Sequence, residues 1–374
     1  MSLSATAGLN TRLTALLADV DLTALLATLF VLMGLYLALV VAAGTSLTAR
    51  RILFKASLFA RSVAHLVLSK EKSGWPKNRP DPDAIKGLKF ETVKRVIFVR
   101  HGESTWNDVF NRGFGPMFPV RLVHGLVQEA GVLISRSSYF VDSPLSKLGY
   151  KQAKDLRVFL KEQAAASTQP GDAGAADAAA LAGVTGTSIV VASNLRRAVA
   201  TTAIGFYDRL ARTQEKVYVL SCLQEMARNV DAYALAGARE AVPLDGIEEH
   251  IAGYGLEASG LRTGDSGSVI GLNSHFNAGN KPIKRNGMNS MTEFAEWAVA
   301  QDADTIIAGG HSLWFKEFFK AFLPKSSLHK CKKKKIANCG VVGFTIQHAK
   351  HPTHGDMFRI DPDSIDVVYL GFDK

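Results

Sequence analysis

The chain has 374 residues, 47% hydrophobic and 21% charged, with a net charge of +10. That composition excludes a disordered or fibrous chain, and the positive charge favours anionic partners without choosing among them. Cys222, Cys331 and Cys339 stand in no metal-ligand or disulfide-framework spacing, which excludes a structural zinc site and suits a reducing compartment.

Residues 1–21 form a short leading segment, and residues 22–43 (LTALLATLFVLMGLYLALVVAA) then run without a charge. About twenty such residues cross the roughly 30 Å of hydrocarbon in a bilayer, so a single-pass transmembrane helix is expected here. Arg50, Arg51, Lys55, Arg61, Lys70 and Lys72 follow, against one early acid, Glu71. The positive-inside tendency then places the later residues in the cytosol, in a membrane whose identity the sequence leaves open. A mitochondrial presequence in the acid-free first eighteen residues is the alternative, and Arg12 alone supports it.

Residues 44–92 read as a basic juxtamembrane helix and a linker. Over 50–70, Arg51, Lys55, Ser62, His65 and Ser69 share one helical stripe, and Ile52, Phe59, Val63 and Leu66 share another. Such a helix either rests on an anionic leaflet or packs on the domain that follows. Ser73-Gly74-Trp75-Pro76 and Pro80-Asp81-Pro82-Asp83 mark the linker.

Residues 93–374 read as a single further domain, the one expected to carry any catalysis. Apolar runs at 96–99, 188–192, 216–220 and 304–308 predict buried strands, and helical patterns alternate with them at 146–163, 197–211, 291–301 and 313–322. This alternation predicts an α/β fold, a doubly wound and mostly parallel sheet with helices on both faces. Runs at 341–347 and 365–371 are candidate edge strands. Three insertions interrupt the pattern: 108–141, 164–186 (Ala/Gly-rich and expected to be a mobile surface segment) and 237–290 (a disordered loop or a lid).

The chemistry gathers where the strands end. The first run leads to Arg100-His101-Gly102, the second to Ser193-Asn194-Leu195-Arg196-Arg197, the third to Leu223-Gln224-Glu225 and the fourth to Gly309-Gly310-His311-Ser312. The carboxyl ends of parallel strands are where open α/β sheets bind ligands. Two histidines, a carboxylate and forked arginine donors at one rim suit phosphoryl chemistry, and that donor set needs no metal. Arg196 reads as an exposed helix-face arginine, and Lys330, Lys332, Lys333, Lys334 and Lys335 as a solvated loop.

The run Val99-Arg100-His101-Gly102-Glu103-Ser104-Thr105-Trp106-Asn107 resembles the signature of the histidine phosphatase superfamily, which includes the cofactor-dependent phosphoglycerate mutases. Asp142-Ser143-Pro144-Leu145-Ser146-Lys147-Leu148-Gly149 is similar to that family's next helix start. Ser193-x-Leu195-x-Arg197-Ala198-x-x-Thr201 is similar to its second arginine motif, and Leu223-x-Glu225 and Gly310-His311-Ser312 to its acid and second-histidine segments. Ile336-Ala337-Asn338-Cys339 resembles its last strand entry, so the likeness covers roughly 93–372.

The resemblance implies a phosphoglycerate mutase-like fold, no cofactor and the following roles. His101 is the nucleophile that becomes a phosphohistidine. Arg100, Arg197 and His311 hold the phosphoryl oxygens, with Asn107 as a further neutral donor. Glu225 is the acid and then the base.

Three departures favour a phosphatase over a mutase: the long 108–141 connection, Met226-Ala227-Arg228-Asn229 after Glu225, and Ser312 after His311. The implied substrate is a phosphorylated small molecule, a lipid head group or a phosphoprotein. No nucleic-acid partner is expected. A phosphomutase and a catalytically silent phosphate-binding scaffold at a membrane are the alternatives.

Overall fold

In this computed structural model the described residues are 22–71, 75, 79–166, 173–244, 247, 250 and 271–373. They fall into two compact units, residues 1–57 with 133–136 and residues 58–132 with 137–374. The helices are α1 (Leu22–Ala42), α2 (Leu47–Leu68), α3 (Phe118–Gly131), α4 (Lys147–Ala166), α5 (Ala173–Leu181), α6 (Arg196–Gly205), α7 (Tyr207–Thr213), α8 (Gly287–Val299) and α9 (Ser312–Phe322). The strands are β1 (Thr92–Arg100), β2 (Ser188–Ser193), β3 (Lys216–Leu220), β4 (Gly271–Asn273), β5 (Thr305–Gly310), β6 (Val341–His351), β7 (Gly355–Ile360) and β8 (Asp366–Tyr369).

Within the second unit the sheet order is β4-β3-β2-β5-β1-β6-β7, with β8 also paired to β6. The strands from β4 to β1 are parallel, while β6, β7 and β8 join antiparallel. The sheet is therefore mixed, with the mostly parallel part carrying the predicted strands.

Strand β1 shows why helices cover both faces. Val96 and Phe98 point into a core shared with Phe294 of α8 and Trp314, Phe315, Phe318 and Phe319 of α9. Ile97 and Val99 point into the opposite core with Leu156 of α4 and Val199 and Ala203 of α6. On the first side Phe98 stacks on Phe315 at 4.0 Å and meets Phe344 edge-on at 4.7 Å, a geometry favoured by the ring quadrupole.

Several expectations need correction. The run at 341–347 is part of β6, which lies between β1 and β7 rather than at an edge. Its sequence is apolar on successive residues, as a strand buried on both faces requires. The helix expected over 197–211 divides at Phe206 into α6 and α7.

The insertion at 164–186 is not simply a mobile segment. Helix α5 buries Ala178, Ala179, Ala180 and Leu181, and its buried Asp177 takes Nε of Arg95 on β1 at 2.8 Å. Residues 167–172 lie outside the described set. The 108–141 insertion contains α3, closed off by Glu129, whose Oε2 accepts from Ser138 Oγ at 2.8 Å and from the N–H groups of Tyr139 and Phe140 at 2.6 and 3.1 Å. Of the 237–290 insertion, β4 completes one sheet edge, and 251–270 lie outside the described residues, as does part of the linker at 72–78.

Helix α1 occupies 22–42 without a charged residue. Among the described residues, however, no helix is long and apolar enough to cross a membrane, and the side chains at 22, 25 and 29 are outside that set. The structure thus leaves the expected transmembrane span unsupported. Within the second unit, α2 buries Ser62 and His65 and turns Val63, Leu66 and Val67 outward. That reverses the usual orientation of an amphipathic helix packed on a core.

Candidate active site

The carboxyl ends of the parallel strands lie level. Arg100 at the end of β1 pairs with Gly310 of β5, Ala192 of β2 with Gly309, and Ser193 with Leu220 of β3. The next residues along each strand are His101, His311, the 194–197 turn into α6, and the turn leading to Glu225. Register brings His101 and His311 to one rim, and the turns after β2 and β3 carry Arg197 to His101 and Glu225 to the first turn of α9.

His101 is buried, and its main-chain N–H donates to the Gly310 carbonyl at 3.0 Å. Its Nδ1 lies 2.5 Å from the Gly102 carbonyl, an acceptor only, so Nδ1 carries the proton. Nε2 therefore keeps its lone pair, and Arg197 Nε donates to it at 3.3 Å. Burial, then the charges of Arg197 and Arg100, holds the imidazole well below the usual histidine range, that is, neutral.

Gly102 and Gly149 explain each other. A Cβ on Gly102 would sit 2.6 Å from the Gly149 carbonyl oxygen, and one on Gly149 would strike the Glu103 carbonyl. The glycine after His101 thus serves a backbone-to-backbone approach between the two motifs, with Gly102 N–H donating to Thr201 Oγ1 at 3.0 Å.

Arg197 is fully buried. It donates from one terminal nitrogen to the Asp231 carbonyl at 2.8 Å, and the other lies 3.4 Å from the Asp231 carboxylate. His311 caps α9 and its ring centre is 5.0 Å from that of His101. Its Nε2 is 2.9 Å from Ser193 Oγ, while Nδ1 is buried without a partner. Burial, then Arg197, keeps His311 neutral as well.

Arg100 donates to the Ile336 carbonyl at 2.5 Å and pairs with Asp373 at 3.2 Å, leaving its Nε buried and unpartnered. Buried donors left without acceptors are costly. Arg100 Nε is such a donor, and His311 Nδ1 is a second buried polar atom without a partner at the same strand rim.

Glu225 is held by its Oε1, which accepts from Met226 N–H at 2.9 Å and Trp314 N–H, in the first turn of α9, at 3.0 Å. Asn107 sits apart from these contacts in a short π-helical turn, its Oδ1 taken by Asn111 Nδ2 at 2.8 Å.

Several site residues carry no motif in the sequence. Asp231 is buried and its carboxyl is raised to about 6, chiefly by burial, against the charge of Arg197. Lys281 is buried against Glu71 and reaches the Glu225 carbonyl. Arg196, expected on an exposed face, is buried. Its Nε donates to the Asp142 carbonyl at 2.8 Å and a terminal nitrogen to Ser137 Oγ at 2.7 Å. Only the pairing of Arg196 with the Asp-Ser-Pro turn, two segments distant in sequence, distinguishes it from a solvated arginine.

No family model matches the chain, and no curated protein matches it. Among solved structures it is similar to a mycobacterial glucosyl-3-phosphoglycerate phosphatase with VO3, at 18% identity over 72% of this chain and 97% of that one, TM-score 0.32. It is also similar to a putative alpha-ribazole-5'-P phosphatase from Escherichia coli, at 13% identity over 75% and 99%, TM-score 0.34. An ecdysone phosphate phosphatase from Bombix mori, in complex with tungstate, aligns at 17% identity over 67% and 88%, TM-score 0.33. At these identities and TM-scores the likenesses bear on neither activity nor substrate.

Proposed function

We propose that this chain is a phosphomonoesterase of the histidine phosphatase kind, working through a phosphohistidine on His101 and anchored to a membrane by α1. The observation that carries the reading is the tautomer of His101. Its proton is fixed on Nδ1 by the Gly102 carbonyl, so Nε2 presents a lone pair beside Arg197. The unpartnered Nε of Arg100 and Nδ1 of His311 add donors for phosphoryl oxygens at the same rim.

In the first step Nε2 of His101 attacks phosphorus as the bond to the leaving oxygen breaks, and that oxygen takes a proton from Glu225. Arg197, Arg100 and His311 balance the charge spread over the equatorial oxygens. In the second step Glu225 takes a proton from water, the new P–O bond forms and the P–N bond breaks, returning neutral His101 and phosphate. The buried cluster suits the slender ester of a phosphorylated small molecule better than a folded phosphoprotein.

Anchoring is supported by the uncharged run at 22–43 and by the outward Phe30, Leu35 and Val41 of α1. The outward Val63, Leu66 and Val67 of α2 continue that apolar character. The basic residues after α1 favour a cytosolic side for the residues that follow.

Full-length protein tested on a panel of phosphomonoesters should release inorganic phosphate, and His101→Ala should lower turnover by at least about a thousandfold. Interconversion of phosphoglycerates without net phosphate release would make it a mutase. Phosphate binding without any turnover would make it a scaffold.

A further inference from the structure

Directly after α2 the chain sends one carboxylate into the second unit. Glu71 is buried, and its carboxylate pairs with the equally buried ammonium of Lys281 at 2.7 Å. The same Nζ donates to the main-chain carbonyl of Glu225. The Glu225–Met226 peptide is therefore gripped twice, by Lys281 on its oxygen and by the Glu225 carboxylate itself on its N–H.

The segment around Glu71 is fixed as firmly. The Glu71 carbonyl accepts from Gly287 N–H at 3.0 Å and from Trp75 Nε1 at 2.8 Å, and Lys70 N–H donates to the Ile283 carbonyl at 3.3 Å. Gly287 permits this approach, since a Cβ there would strike Met226 Sδ. Lys70 and Glu71 thus lie against the 281–287 segment, whose Lys281 reaches the Glu225 carbonyl.

A buried ion pair is no more stable than well-packed apolar side chains of similar volume. Stability alone therefore does not account for Lys281 and Glu71. We propose that Lys281, braced by Glu71, is the positioning residue for the Glu225 proton donor, so that the segment following α2 is part of the proton-transfer machinery. This rests on the phosphatase reading of Glu225. The charge of Lys281 is felt at the site: burial pulls its own ammonium below the usual lysine range, with Glu71, Glu225 and Asp231 opposing.

A general acid matters most when the leaving group is poor. The test uses full-length protein with an alkyl phosphate and with para-nitrophenyl phosphate, whose leaving group departs without a proton. Hydrolysis of the phosphoenzyme is common to both esters, so the comparison is made on kcat/KM, which reports only the steps through leaving-group departure. Lys281→Met should lower it on the alkyl ester by about ten- to a hundredfold and leave the nitrophenyl ester within about threefold. Glu71→Gln should act in the same direction and less strongly. It keeps an acceptor for Nζ, so it carries the comparison if Lys281→Met does not fold. Equal losses on both esters, or none on either, in variants of an active wild type would overturn the positioning role alone. A wild type that hydrolyses neither ester would remove the phosphatase reading itself.

Discussion

Asp231 sets a condition on the site that no motif announces. Its carboxyl lies against Arg197, the arginine proposed to hold the phosphoryl group, and is raised from 3.8 to about 6 by burial. A carboxyl raised in the folded state stabilises the fold below its unfolded pKa, and that contribution is lost as pH rises through the folded value. Stability should therefore fall by roughly 3 kcal/mol between about pH 4 and pH 6, a fall that Asp231→Asn removes in urea titrations. Ionised Asp231 also competes with an anion for Arg197. Sulfate, whose charge is constant over this range, should bind more weakly above about pH 6 in wild type, and evenly across pH in Asp231→Asn. Calorimetry at several pH values checks this, and a flat wild-type profile would remove Asp231 from the anion site.

Arg196 gives a second residue-level test. It holds the 137–142 turn with three of its nitrogens, so Arg196→Ala should cost about 1–3 kcal/mol for each of the Ser138 and Asp142 carbonyls it leaves buried without that donor. A shift in the urea midpoint measures it. The sequence made His101, Arg197, His311 and Glu225 legible because each stands at a strand end in a recognisable local pattern. Asp231, Lys281 and Glu71 were not legible, because only tertiary folding brings them there across tens to hundreds of residues. The need for glycine at 102 is hidden in the same way, because the backbone it approaches is that of Gly149.

Among elements, the strands read best where hydrophobicity was continuous and bounded, as in β2, β3 and β5. β6 was placed at an edge because an antiparallel strand late in the chain gives no sign of its position in the order. Helix α5 was hidden by its composition, since an alanine-rich stretch looks alike whether solvated or packed. What fixes it is the Arg95–Asp177 pair, with Asp366 at 2.9 Å as a further partner of Arg95. Asp177→Ala should therefore cost roughly 3 kcal/mol and release α5 to rapid hydrogen exchange, with the site residues keeping their protection. Protection of α5 unchanged in that variant would place its docking elsewhere.

For the whole molecule, the apolar N-terminal run and the phosphoryl site are separate statements in the sequence, and Glu71 is the residue through which the proposals meet. If α1 is the anchor, full-length protein should float with liposomes through carbonate washing. Leu32→Arg with Leu35→Arg, at about 2.5–3.5 kcal/mol for each charge near a helix centre, should leave it in the soluble fraction with turnover retained. The central claim concerns His101, and rapid acid-free quenching of full-length protein with a radiolabelled phosphomonoester tests it most directly. The account predicts label on the peptide bearing His101, stable to base, labile to acid and absent from His101→Ala. Turnover without any such label, or label on an acid-stable residue, would contradict it.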